Sequence, residues 1–104
     1  MSYMCGLRPS LLRNEAGCVC TDSVHAVFTK GKYRIRELQR VWRHPLVSLS
    51  CELQGHPLSG GLLKIEPGEA ANIRVPLRRI RLGGLDRKML EEATARMRRW
   101  RHYG

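Results

Sequence analysis

Between Gly60 and Pro76 the chain carries its tightest conformational grammar: Gly60-Gly61-Leu62-Leu63-Lys64-Ile65-Glu66-Pro67-Gly68-Glu69, then Ala70-Ala71-Asn72-Ile73-Arg74-Val75-Pro76. Paired glycines let the backbone enter a tight or left-handed turn. Leu62 to Ile65 is a short apolar run holding one lysine, which predicts a brief strand. Pro67 suits the first position of a short helix, where no donor is needed. Glu69 then falls in that helix's first turn, against the positive end of its dipole. Pro76 stops what precedes it. The order glycine turn, strand, helical turns, stop leaves the rest of the chain to pack around it.

Upstream, Arg34 to Gln54 reads as a helix with an interruption. Ile35, Leu38 and Val41 or Trp42 recur at helical spacing, which leaves Arg36, Arg40 and Arg43 to water or an anion. Pro45 ends or kinks that helix or begins a second one, whose Leu46, Leu49 and Leu53 share a face, and Gly55 is its stop. Earlier still, Arg8-Pro9-Ser10 starts a short turn or helix through Arg13. Strands are expected over Gly17–Thr21 and Val24–Thr29, with Thr21-Asp22-Ser23 as the turn between them. Met1 to Gly6 carries no signal. After Pro76 the chain becomes more basic. Gly83-Gly84 reads as a hinge, and Asp86 caps a final helix to about Arg101, striped by Leu85, Met89, Ala93, Met97 and Trp100. That stripe is expected to dock, here or on a missing partner. The cations Arg98, Arg99, Arg101 and His102 suit the negative end of the helix. The fold class is therefore α+β: a small mixed domain with few short strands packed on a kinked central helix and a C-terminal amphipathic helix. Residues 1–76 read as one region and 77–104 as a basic linker with the last helix.

Charge is where this chain departs from an ordinary globular one. Its 19 Lys and Arg stand against 9 Asp and Glu, a net of +10. Such a balance favours a polyanionic partner, nucleic acid first. No run approaches the roughly 20 apolar residues of a membrane span, and no apolar leader opens the chain, so a cytoplasmic setting is expected. Cys5, Cys18, Cys20 and Cys51 do not make a zinc site: Cys18-x-Cys20 is tighter than the usual ligand gap, and His25, His44, His56 and His102 are scattered. Cys18 and Cys20 read as small fillers on one face of a strand.

Two stretches resemble a known family. Gly-Gly-x-Leu-x-Ile-Glu-Pro-x-Glu followed by Val75-Pro76 is similar to the C-terminal region of N6-adenine DNA methyltransferases of restriction-modification systems. So is the earlier Arg8-Pro9-x-Leu11-Leu12-x-Asn14-Glu15-Ala16-Gly17, continued by Thr21-Asp22-x-x-His25-x-Val27, where the family more often has Asn after the Thr. The matches span roughly Tyr3 to Pro76. In that family this region lies beyond the catalytic domain and handles target DNA. The family's Asn-Pro-Pro-Tyr catalytic tetrapeptide is absent from this sequence. Gly83-Gly84 lacks the strand-then-helix context of a turn that holds S-adenosylmethionine.

The expected partners follow from charge and resemblance together: duplex DNA, and a catalytic methyltransferase domain that alone would carry the S-adenosylmethionine. Arg8, Lys30, Lys32, Arg34 and Lys64 are the candidate phosphate contacts. Gly31 would let the Lys30–Lys32 turn approach a phosphate, although a solvated loop tip explains those residues equally well. The motif-matched Asn14, Thr21 and His25 are either DNA contacts or structural bonds. No catalytic, cofactor or metal residue is assigned. The competing reading is a free-standing basic module that binds nucleic acid or protein. A methyltransferase fragment should expose an apolar surface for its catalytic domain, and a complete module should not.

Overall fold

The computed structural model describes residues 1–19, 23–78 and 80–103, with the backbone alone for His102 and Tyr103. The small mixed fold has a three-stranded antiparallel sheet of β1 (Met4–Cys5), β2 (His56–Pro57) and β3 (Leu63–Lys64), in the order β1-β3-β2. Met4 and His56 both lie opposite Lys64, and Cys5 and Pro57 both lie opposite Leu63. The central strand is the one expected within Leu62–Ile65. It follows a 3-10 turn at Ser59–Gly61, in which Gly60 and Gly61 take φ of 82° and 79°, the left-handed region that the glycine pair was needed for.

The interrupted helix is two helices, α1 (Ile35–Val41) and α2 (Pro45–Gln54). Pro45 occupies the first turn of α2, and the N-cap His44 accepts a 3.1 Å bond from the Leu46 N–H through Nδ1. Gly55 follows α2, but its φ of −76° is open to any residue. A Cβ there would lie 2.9 Å from the Lys64 carbonyl and 3.0 Å from the Leu63 side chain, so the glycine is required by the close pass of β3.

Leu38, Trp42, Val47, Cys51, Leu63 and Ile65 form the buried core. Trp42 completes its burial by donating from Nε1 to the Pro9 carbonyl at 2.7 Å. The Leu46–Leu49–Leu53 face is not the inner one: Leu53 is exposed, whereas Val47 and Cys51 face the core and Ser48 and Glu52 are buried too. Being wedged between the sheet and the last helix, α2 hides more than one stripe. The short α3 (Pro67–Ala70) begins at Pro67, as its sequence predicts, and Glu69 reaches back to accept from the Glu66 N–H at 2.7 Å.

α4 (Gly84–Tyr103) starts ahead of Asp86, which is a first-turn acid rather than the cap. The helix docks on α2 and the glycine turn, but with an unexpected face. Leu90, Thr94, Arg98 and Arg101 turn inward, while Leu85, Met89 and Trp100 of the apolar stripe are 72%, 60% and 77% exposed. The physical cause is Glu52, buried on α2. Arg98 Nε meets its carboxylate at 3.1 Å and Arg101 Nε at 2.8 Å. Arg101 also donates to the Gly6 and Gly61 carbonyls. A buried carboxylate demands such partners, and this sets the rotation of the helix against the pull of its apolar stripe.

The N-terminal third is less regular than expected. Residues 8–13 form no helix, and neither 17–19 nor 24–29 forms a strand, apart from an isolated bridge between Ser2 and Val24. Met1 and His25 exchange backbone bonds, and Tyr3 donates to Ser23 at 3.3 Å. Beyond this contact no strand among the described residues runs alongside to make a ladder, and a strand without a ladder leaves its backbone groups to water. Val19 and Phe28 are correspondingly exposed. Cys18 is exposed on this irregular stretch and fills no core position, whereas Cys51 does. Cys20, Thr21 and Asp22 lie outside the described residues.

Candidate nucleic-acid interface

The organising motif places a charged network on the outer side of the sheet. The capping bond from the Glu66 N–H to Glu69 aims both carboxylates at their neighbours. Glu66 takes a 2.8 Å bond from the Tyr3 hydroxyl on one oxygen and pairs with Lys64 at 2.9 Å through the other. Glu69 pairs with His56 Nδ1 at 2.7 Å. The Lys64 ammonium also stands 5.3 Å from the centroid of the Tyr3 ring, within the range of a cation–π contact. The hydrogen bond with Glu66, then Tyr3, raises the Lys64 pKa, and the same Lys64 and Tyr3 contacts lower that of Glu66. The two glutamates of the motif thus fix Tyr3, His56 and Lys64 in one patch.

Two of the candidate DNA residues meet there. Lys64 is held by Glu66, and His25 lies on the other side of Tyr3, with ring centroids 5.1 Å apart and its Nε2 2.7 Å from the Ile65 carbonyl. Asn14 stands apart and closes its own turn, donating to the Cys18 carbonyl at 2.7 Å and accepting from the Cys18 N–H at 2.9 Å. Lys30, Lys32 and Arg34 are exposed together around Gly31, whose φ of 65° makes the tip a true left-handed turn. Lys32 leans over Tyr33, 5.6 Å from the ring centroid. From this tip the exposed Arg36 and Arg40 continue along one face of α1, spaced to lie one turn apart. Arg8 is half-buried beside α4, away from both groups. Thr21 is not among the described residues.

Tyr3 and His56 are the members of the motif patch that reading the sequence missed. His56 could have been found only from the strand register, which sets it against Lys64, and Tyr3 lies in a segment without a pattern of its own. Among the described residues no group of three His, Cys, Asp or Glu is placed to hold a metal ion. Residues 80–83 carry no strand ahead of α4. No helix is long and apolar enough to cross a membrane among the described residues.

This surface sets exposed cations beside a patch of fixed polar groups. Over residues 1–101 the chain matches the family described as Type II methyltransferase M.Eco57I, C-terminal domain, and it belongs to that family. No curated protein and no solved structure matches it.

Proposed function

We propose that this chain grips duplex DNA for a site-specific adenine-N6 methyltransferase whose catalytic domain lies outside these residues. The observation that carries the reading is the run of exposed cations from Lys30 through Lys32, Arg34 and Arg36 to Arg40, on a chain of net charge +10 that belongs to a methyltransferase C-terminal family. Methylating the adenine amino group requires the base to leave the stack. A separate element must hold the phosphates meanwhile, and base-edge contacts add sequence preference. In the Tyr3–His56–Lys64 patch the Lys64 ammonium keeps N–H groups beyond the one held by Glu66 for such contacts. The adenine part of the reading rests on the two motif resemblances.

The exposed Leu85–Met89–Trp100 stripe favours a fragment over a complete module, since a stripe of that kind suits the face kept for a catalytic neighbour. In this reading S-adenosylmethionine is bound and used by that neighbour, and the complex works on cytoplasmic DNA. The chain's own residues hold and orient the duplex.

Binding to short duplexes across a salt series tests this. Affinity should fall steeply with salt, and one adenine-containing sequence should win by about ten-fold or more. Absence of binding at low salt would overturn the reading. Binding without any sequence preference would favour the free-standing module.

A further inference from the structure

Arg8, Arg43, Arg87 and Arg98 line one cleft of about 220 Å³ between the start of α2 and the middle of α4. We infer that this cleft is the seat of one phosphate group, a backbone phosphate of the duplex if the DNA-gripping reading, on which that source rests, holds. Of its four arginines only Arg8 lies in a motif, because they come from three separate stretches of chain.

Two of the four charges in the cleft, those of Arg8 and Arg43, have no ion pair among the described residues. The carboxylate in its lining is that of Glu91, 4.0 Å from Arg87, with both side chains more than half exposed. Such a pair is weak. The side chains of Arg8 and Arg43 make no hydrogen bond or ion pair among the described residues, although Arg8 is half-buried. A guanidinium partly withdrawn from water without a counter-charge is poised for an anion. Arg98 is already oriented: its Nε is held by Glu52 at 3.1 Å and an Nη by the Leu7 carbonyl at 3.1 Å, which leaves further N–H groups to the cleft. Its fork is fixed before a ligand arrives, so little freedom is lost on binding.

The floor supports the same chemistry. Ser48 lines the wall, and its hydroxyl, still open to solvent, makes no hydrogen bond among the described residues. The first turn of α2 brings the positive end of a ten-residue helix to the same place. Burial, and second the field of Arg87, lower the pKa of His44 beside the cleft. Arginine forks match the paired oxygens of a phosphate, which a spherical halide lacks. Arg43 also extends the sequence spacing of Arg36 and Arg40, so one phosphate track can run from the Lys30–Arg34 tip into the cleft.

The test compares two double variants, each losing two charges. Arg8→Gln with Arg43→Gln removes two of the four cations of the cleft and leaves Arg98 on Glu52. Arg96→Gln with Arg99→Gln removes exposed cations from α4 elsewhere. Circular dichroism checks that both fold. The cleft pair should weaken duplex binding about ten-fold or more at low salt and lower the salt slope by about one or more, against about three-fold or less for the control pair. The His44 pKa, followed by NMR, should rise when duplex is added to the unaltered chain and stay put in the cleft variant. Equal losses in the two pairs, with no movement of His44, overturn the inference.

A pyrophosphate titration separates this claim from the DNA reading. If the unaltered chain ignores duplex yet pyrophosphate shifts His44 saturably, and the cleft pair abolishes that shift, the cleft takes a small phosphoanion and the DNA reading alone fails. If neither ligand moves His44, the cleft is not a phosphate seat.

Discussion

Glu52 holds its carboxylate almost wholly out of water, with 1% of its side chain exposed, between Arg98 and Arg101. Removing Arg101 leaves one buried oxygen of that carboxylate without its donor, at a cost of about 3–5 kcal/mol. Arg101→Met should therefore lower the urea midpoint sharply, by an amount equivalent to that range. Trp100→Ala, one residue away but 77% exposed, should change stability by about 0.5 kcal/mol or less. The contrast runs against the intuition that a tryptophan outranks an arginine in a helix–helix contact. Sequence pattern could not reveal it. Glu52 looks like any polar residue on a helix, and only the packing of α4 over it shows that it lies inside. The thiols make a second contrast. Burial, helped by Cys5 and Glu52, pushes the Cys51 thiol up to about 12, so at pH 8 very little of it is thiolate, the reactive form. Iodoacetamide at that pH should label the exposed Cys18 in the native protein and label Cys51 only after unfolding, as peptide mapping would show.

At the scale of elements, boundaries set by proline and glycine were legible: Pro45 opening α2, Pro67 opening α3, and Gly60-Gly61 turning into β3. These residues restrict their own φ or extend its range, so their effect needs no partner. The faces were not legible. Leu46–Leu49–Leu53 and Leu85–Met89–Trp100 both have helical periodicity, yet buried neighbours elsewhere decided which way each helix turned. Strands failed for a related reason, since 24–29 has strand composition but no ladder beside it. The cap of α2 carries a pH dependence of its own. Nδ1 of His44 can accept from Leu46 only when it is unprotonated. Folding lowers the pKa of this histidine from 6.5, through burial first and Arg87 second. The folded state thus binds fewer protons than the unfolded one, and stability rises with pH. The contribution is full above 6.5 and is lost as pH falls through the lower folded value. His44→Asn, a cap that does not titrate, should flatten the stability profile on the acid side of 6.5 in urea titrations at each pH.

For the whole molecule, a net charge of +10 on 104 residues means self-repulsion in the folded state. Screening should relieve it. Raising sodium chloride from low to moderate concentration should raise Tm, with each 1 kcal/mol of relief worth about 4–8 °C for a chain of this size. Flat or falling Tm would show that the exposed cations are spaced too widely to repel. A polyanion should act at much lower concentration than the simple salt, because one binding event neutralises several sites.

Arg101 ties α4 to Gly6, a span of 95 residues, and to Gly61, a span of 40. Chain made from its N-terminus must therefore wait for its last turn of helix before the first loop can be fastened. A ribosome-bound intermediate lacking that turn holds Glu52 with neither arginine to meet it. Contacts this distant in sequence slow folding, so the sheet edge at β1 and the inner face of α2 stay open to capture by chaperones for as long as synthesis of α4 is incomplete.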